Sequence, residues 1–291
     1  MKQKNIIILT VIVIIGLAAG IFWYFKNTSK APEEKIGLGR EKIGVGITFT
    51  DPQSIEKYQA VLDYLNKYSD DDWYLVPLKD YGSFISQMKL GQIKAGFMGS
   101  AIAYRMLKEG LALPVARGEK NSISVYYGYI FTRKDSGLNT IEDLKDKKFA
   151  YVDPYTSAGY FFPQFLLKEK GLNSDSFFRV SSFLGSHKNA ILAVLNGEYD
   201  GGAAKDVVWR ELSSQNPNLE KELQIIATEG PFPEQTFMVV TDSASEVEEL
   251  RGLLLKLTDS EEGRLVLTKF NADRFIITQA KDFETVEKIM R

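Results

Sequence analysis

From Lys42 onward the chain alternates short apolar runs with amphipathic stretches, and it does so in two successive series. KIGVGITF reads as a strand, and SIEKYQAVLDYLNKY as a helix with Ile55, Tyr58, Val61, Leu62 and Leu65 on one face. Strand DWYLVPL, helix YGSFISQMKLG, strand IKAGFMG and helix SAIAYRMLKEG follow, and strand-like ISVYYGYIFTR closes the series. The second series sets strands KKFAYVD, FFRVSSF and EYDGGAA before helices SAGYFFPQFLLKEKG, SHKNAILAVLNG and KDVVWRELSSQ. Strands alternating with helices predict an α/β protein with a largely parallel sheet. Laid together, MKLGQIKAGFMGS and AVLNGEYDGGAAKD align Gly91 with Gly197, Gly96 with Gly202 and Ser100 with Asp206. Each copy is a helix end, a short strand and a new helix at the strand's carboxyl end. Open α/β sheets bind ligands outside those ends. Two such units facing each other predict a cleft lined by helix N-termini and suited to closing on a small molecule.

YVDPYTSAGYFFP, residues 151–163, belongs at that cleft. It reads as a strand, a turn and then a helix whose first turn carries Thr156, Ser157, Ala158 and Gly159. Free N–H groups at a helix start attract anions, and small side chains let an anion approach closely. Plain N-capping by the two hydroxyls is the competing reading.

Composition removes whole classes of chemistry. The 291 residues contain no cysteine and one histidine, His187, which excludes disulfides, thiolate catalysis and multi-histidine metal sites. Lys plus Arg is 36 against 38 for Asp plus Glu, a balance that argues against nucleic-acid binding. Residues 6–25, IIILTVIVIIGLAAGIFWYF, carry no charge and supply the roughly 20 apolar residues of a membrane span. Trp23 and Tyr24 stand at its end, where interfacial aromatics belong. A cleaved signal peptide with Ala18 and Gly20 before the cut is the alternative, but IFWYF continues the apolar run past that site. Leu17-Ala18-Ala19-Gly20 resembles a lipobox without the cysteine that would carry the lipid. The reading is an uncleaved single-pass anchor over 1–26, a linker over 27–40, and a body outside the cytoplasmic membrane.

YGYIFTRKDSGLNTIEDLKDKKFAYVDPYTSAGYFFPQFLLKEKG resembles the phosphate/phosphite/phosphonate-binding proteins of ABC transporters. Arg133 to Leu138 match that family's R-K-D-S-G-I turn. Asp143 to Lys147 match D-L-K-G-K, with Asp146 in place of glycine. Asp153 to Tyr160, with Pro163, match D-P-x-S-T-S-G-Y-x-x-P, with Ala158 where the third hydroxyl stands. Gly185-Ser186-His187, then Gly197 and Asp200, match a second signature. GPFPEQTF resembles P-x-P-N with Glu234 in the Asn position, and Lys94 stands where the family has Asp.

The resemblance implies a two-lobed periplasmic-binding-protein-like fold of type II with two crossover strands, covering roughly 41–290. Lobe 1 is expected over 41–130 plus 236–291, and lobe 2 over 131–235. It also implies capture of a small oxyanion in the cleft for an ABC permease, with no cofactor. The ligand residues it implies are Thr156, Ser157, Ala158, Gly159, His187 and Asp206. Thr156, Ser157 and His187 would donate, and Asp206 would accept from a protonated ligand oxygen. Phe49, Thr50 and Ser100 follow first-lobe strands and are expected on the opposite wall. A sensory module signalling to a membrane partner is the alternative function. Ser157, His187 and Asp206 have the residue types of a hydrolase triad, but Tyr-Thr-Ser-Ala-Gly is not a nucleophile elbow, so an enzyme is not expected.

Overall fold

The helix Pro52–Tyr68 buries Tyr58, Val61, Leu62 and Leu65 on one stripe, as a period of 3.6 residues requires. Ile55, in the first turn, ends that stripe and is 37 % exposed. The computed structural model describes residues 41–48 and 52–291. The expected membrane helix over 1–26, the linker over 27–40 and the site candidates Phe49 and Thr50 lie outside the described residues. Among the described residues, no helix is long and apolar enough to cross a membrane.

The strands are β1 (Lys42–Ile47), β2 (Asp72–Pro77), β3 (Ala95–Met98), β4 (Leu113–Glu119), β5 (Val125–Arg133), β6 (Lys148–Tyr151), β7 (Val180–Phe183), β8 (Gly201–Lys205), β9 (Leu223–Pro233), β10 (Thr236–Val239) and β11 (Arg274–Ile277). They form a six-stranded sheet in the order β11-β4-β10-β3-β1-β2 and a five-stranded sheet in the order β7-β6-β8-β5-β9. The sheets are mixed, where the alternation of elements predicts largely parallel ones. β1 runs parallel to β2 and β3, and β6 to β7 and β8. β5 and β10 each pair antiparallel with both neighbours. Connectivity is the reason: the chain passes between the sheets at 120–124 and again at 234–235, and each receiving strand enters against its neighbours' direction. Because β5 joins the five-stranded sheet, the first passage precedes residue 125 rather than falling at 130.

The five-stranded sheet is covered on both faces, and the strand period of two sorts its residues between them. Ile130, Phe149, Tyr151 and Ala203 pack into a cluster with Phe84, Met98 and Phe283 of the first-sheet elements. Phe131, Ala150, Val152 and Ala204 pack on the other side against Ile191, Val194 and Trp209. The repeat read from the sequence has matching physical roles in the two halves. Gly91 and Gly197 follow helix ends at φ of +69° and +75°, a conformation that glycine adopts without strain. A Cβ on Gly96 would lie 2.3 Å from Phe84, and one on Gly202 3.1 Å from Val194, so both strands are pared down where the preceding helix packs on them. Ser100 and Asp206 each open the next helix.

Candidate functional site

Strands β2, β3, β6, β7 and β8 end at one cavity of about 440 Å³ between the two sheets. The helices that follow bring Tyr81, Ser100, Ser157, His187 and Val207 to its wall. Helix N-termini carry the positive end of the macrodipole together with unpaired N–H groups, so their convergence makes the cavity attractive to an anion. The helix starts at Ser100, at Ser157 and at Asp206 have no side-chain cap, whereas Ser186 caps its own helix by accepting from Asn189 N–H at 3.1 Å. The segment at Ser157 begins as a π-turn, with Phe161 N–H bonded to Thr156 O five residues back, and continues as the helix Phe162–Glu169.

Three hydroxyls meet where the sheets approach. Ser100 Oγ, from the first-sheet side, lies 2.8 Å from Ser157 Oγ of the second and 2.6 Å from Tyr126 OH on β5. All three residues are buried, and burial pushes the Tyr126 phenol above its ordinary value, so it remains a neutral donor. Beside them the Lys205 ammonium sits 3.9 Å from the Tyr126 ring centroid and 2.9 Å from Glu234 Oε2. Desolvation pulls the Lys205 pKa down, but Glu234 and Tyr126 outweigh it and hold the ammonium above the usual lysine value. Desolvation likewise opposes ionisation of Glu234, and Lys205 outweighs it and holds the carboxyl below the usual range. The pair is charged.

His187 Nδ1 accepts the Lys205 backbone N–H at 3.2 Å, which assigns the imidazole proton to Nε2. His187 lines the cavity, and its ring offers an N–H donor while neutral. Desolvation, with the Lys205 charge adding, lowers its pKa from 6.5 to about 3. In the unfolded chain this histidine takes up a proton near 6.5, so acidification below that value favours unfolding. The stabilisation from His187 is therefore complete above about 6.5 and is lost progressively as pH falls toward 3. Melting curves at neutral and mildly acidic pH should show the parent's advantage over His187→Gln shrinking on acidification. Parallel pH profiles for the two proteins would contradict this.

The structure brings Ser100, Thr156, Ser157 and His187 together at the cavity and leaves Ala158, Gly159 and Asp206 off its wall. Thr156 is on the wall, but its hydroxyl donates to Asp153 O at 2.9 Å and serves the turn. Ala158 faces β5, with its Cβ 3.2 Å from the place a Cβ on Gly128 would take, so a hydroxyl there would not reach the cavity wall. Gly159 is glycine for packing: a Cβ would lie 2.5 Å from Val152 and 2.8 Å from Thr156 Oγ1. Asp206 does not line the cavity, and both its oxygens are committed inside the second sheet's layer. Oδ1 accepts Tyr127 N–H at 2.9 Å, and Oδ2 pairs with Arg210 at 2.9 Å. Lys94 pairs with Glu41, away from the cavity wall. Tyr126, Lys205 and Glu234 are wall residues that sequence reasoning did not select. The repeat held one usable signal, since it aligns Lys205 with Gly99 and both occupy the N-cap position at the cleft.

Known proteins resemble this chain in sequence and in fold. A sequence model of the family described as "ABC transporter, phosphonate, periplasmic substrate-binding protein" matches residues 43–283. A probable ABC transporter phosphite-binding protein of Prochlorococcus marinus is 24% identical over 163 residues, 54% of this chain and 55% of that protein. A phosphate-import protein of Mycolicibacterium smegmatis is 27% identical over 162 residues, 52% of this chain and 50% of its own length. The chain thus spans about half the length of the curated relatives it matches. Among solved structures, the Prochlorococcus marinus protein in complex with methylphosphonate superposes with a TM-score of 0.69 at 20% identity, covering 86% of this chain and 97% of that one. A binding component of a Pseudomonas aeruginosa phosphonate transporter gives 0.70 at 18% identity, covering 86% of each chain. These likenesses establish the two-lobed α/β fold, and the match over 43–283 establishes the family: the chain belongs to the periplasmic substrate-binding proteins of phosphonate ABC transporters.

Proposed function

We propose that the cleft captures a small oxyanion, a phosphonate, phosphate or phosphite, for delivery to an ABC permease. The observation that carries this reading is the meeting of two uncapped helix starts, at Ser100 and Ser157, with their hydroxyls and that of Tyr126 in contact. A tetrahedral oxyanion needs several donors from one side, and these groups supply them with the Lys205 ammonium and the His187 Nε2–H on the same cavity. Backbone donors and hydroxyls keep the same charge across the physiological range, so binding does not wait on a protein titration. The body works outside the cytoplasm, as the family does, and the apolar run over 6–25 tethers it to the membrane.

Calorimetric titration of the parent protein with phosphate, phosphite and methylphosphonate, with glutamate as a control amino acid, tests the proposal. At least one phosphorus oxyanion should bind and raise the melting temperature, because a ligand that binds only the folded state stabilises it. Glutamate binding with no response to any phosphorus oxyanion would overturn it.

A further inference from the structure

The cleft does not end at the hydroxyls. A second cavity of about 410 Å³ adjoins the first and shares Lys57, Val207, Glu234 and Gln235 with it. The other charged side chains around this second cavity are paired. Lys120 holds Asp273 at 2.8 Å, Arg210 holds Asp206 at 2.9 Å, Arg274 holds Glu119 at 2.7 Å, and Lys205 holds Glu234 at 2.9 Å. Lys57 is the exception: among the described residues it has no ion-pair partner, and its ammonium rests 4.4 Å from the Phe270 ring centroid and 5.2 Å from that of Tyr58. Next to it, Gln235 Oε1 accepts Tyr58 OH at 2.6 Å, which leaves the amide NH2 as the donor end of that side chain.

An ammonium and an amide NH2 on one stretch of wall, both shared by the two cavities, form a receptor for a second anion. Glu234, the carboxylate on the same wall, is paired with Lys205 at 2.9 Å, and the Lys205 charge opposes its attraction for Lys57. Building on the oxyanion reading above, we infer that this protein takes phosphonates whose organic substituent carries a second negative charge. The phosphonate group sits at the hydroxyls and helix starts, and the substituent runs along the shared wall so that a carboxylate reaches Lys57 and Gln235. A substituent ending in an amine meets the opposite situation, since its ammonium would face Lys57 with Glu234 and Glu119, the carboxylates lining that second cavity, already paired. The partly desolvated Lys57 makes either effect larger than it would be in water.

Calorimetry with three probes reads the inference directly: methylphosphonate, phosphonoacetate and 2-aminoethylphosphonate. Phosphonoacetate should bind the parent about tenfold or more tighter than methylphosphonate, the value of one charge-assisted contact, and 2-aminoethylphosphonate should bind weaker than methylphosphonate. In Lys57→Met the ratio of phosphonoacetate to methylphosphonate affinity should collapse toward one. In Lys57→Glu the order of carboxylate and amine probes should invert. Methylphosphonate binding with phosphonoacetate no tighter would overturn the inference while leaving the oxyanion site standing. No binding of any probe, or of phosphate and phosphite, would overturn both. The parent's ranking decides the matter even if a variant folds poorly.

Discussion

Lys205→Met is expected to lower the melting temperature by about 5–10 °C, and Glu234→Gln added to it should restore most of the loss. The ammonium has the Glu234 carboxylate at 2.9 Å and the Tyr126 ring at 3.9 Å, and its side chain is 20% exposed. Removing one member of a buried ion pair leaves the other charge without its partner in a poor solvent, at a cost of roughly 3–5 kcal/mol. Glu234 keeps 27% of its side chain exposed, so about 2–3 kcal/mol is the fitting scale here. In a chain of this size each kcal/mol moves the midpoint by about 2–4 °C. Neutralising the stranded carboxylate should return stability because the penalty lies in the unpaired charge. Anion affinity should stay low in the double variant, since the ammonium beside the hydroxyls is gone. Thermal melting and calorimetry on the single and double variants check both halves, and a single variant melting with the parent would contradict the pairing.

Much of the scaffold was legible in the sequence because local periodicity encodes it. Tyr58, Val61, Leu62 and Leu65 repeat at helical spacing, and the helix buries them. Gly91 and Gly197 mark helix ends, and the glycines aligned at 96 and 202 mark strands pressed by the helix before them. The direction of β5 and β10 was not legible, because a crossover's sense depends on which sheet receives it and not on either strand's composition. The site divided in the same way. Ser157 and Ser100 stand at helix starts after strands, a local pattern. Lys205 reads locally as a solvated charge before a helix, and its meaning comes from Glu234, 29 residues further on. Asp206 has the right residue type at the right kind of position, yet Tyr127 and Arg210 occupy it. Gly159 looks like room for a ligand until Val152 is placed beside it.

Ser157→Ala is the second large expectation: affinity for the best-bound phosphorus oxyanion should fall about tenfold to a hundredfold. The hydroxyl is buried, 2.8 Å from Ser100 Oγ across the cleft, at a helix start that lacks a side-chain cap. A hydrogen bond to a charged group contributes about 1.5–3 kcal/mol, which is that range of affinity. A capping role would instead cost about 1 kcal/mol of stability, and the structure gives Ser157 no cap to lose, since the N-cap position belongs to Thr156. Ser100→Ala should weaken binding comparably. The double variant should lose less than the sum of the two, because the paired hydroxyls act on one ligand.

An oxyanion held between the helix starts at Ser100 and Ser157 is probed by titrating Ser157→Ala against phosphate, phosphite and methylphosphonate, with its free-state melting curve beside the parent's. Binding of whichever oxyanion the parent prefers should weaken, with the melting temperature of the free protein within about 2 °C of the parent, less than a 1 kcal/mol change would give. Parental affinity for that oxyanion, together with a lower melting temperature, would place the ligand elsewhere and leave Ser157 a structural residue.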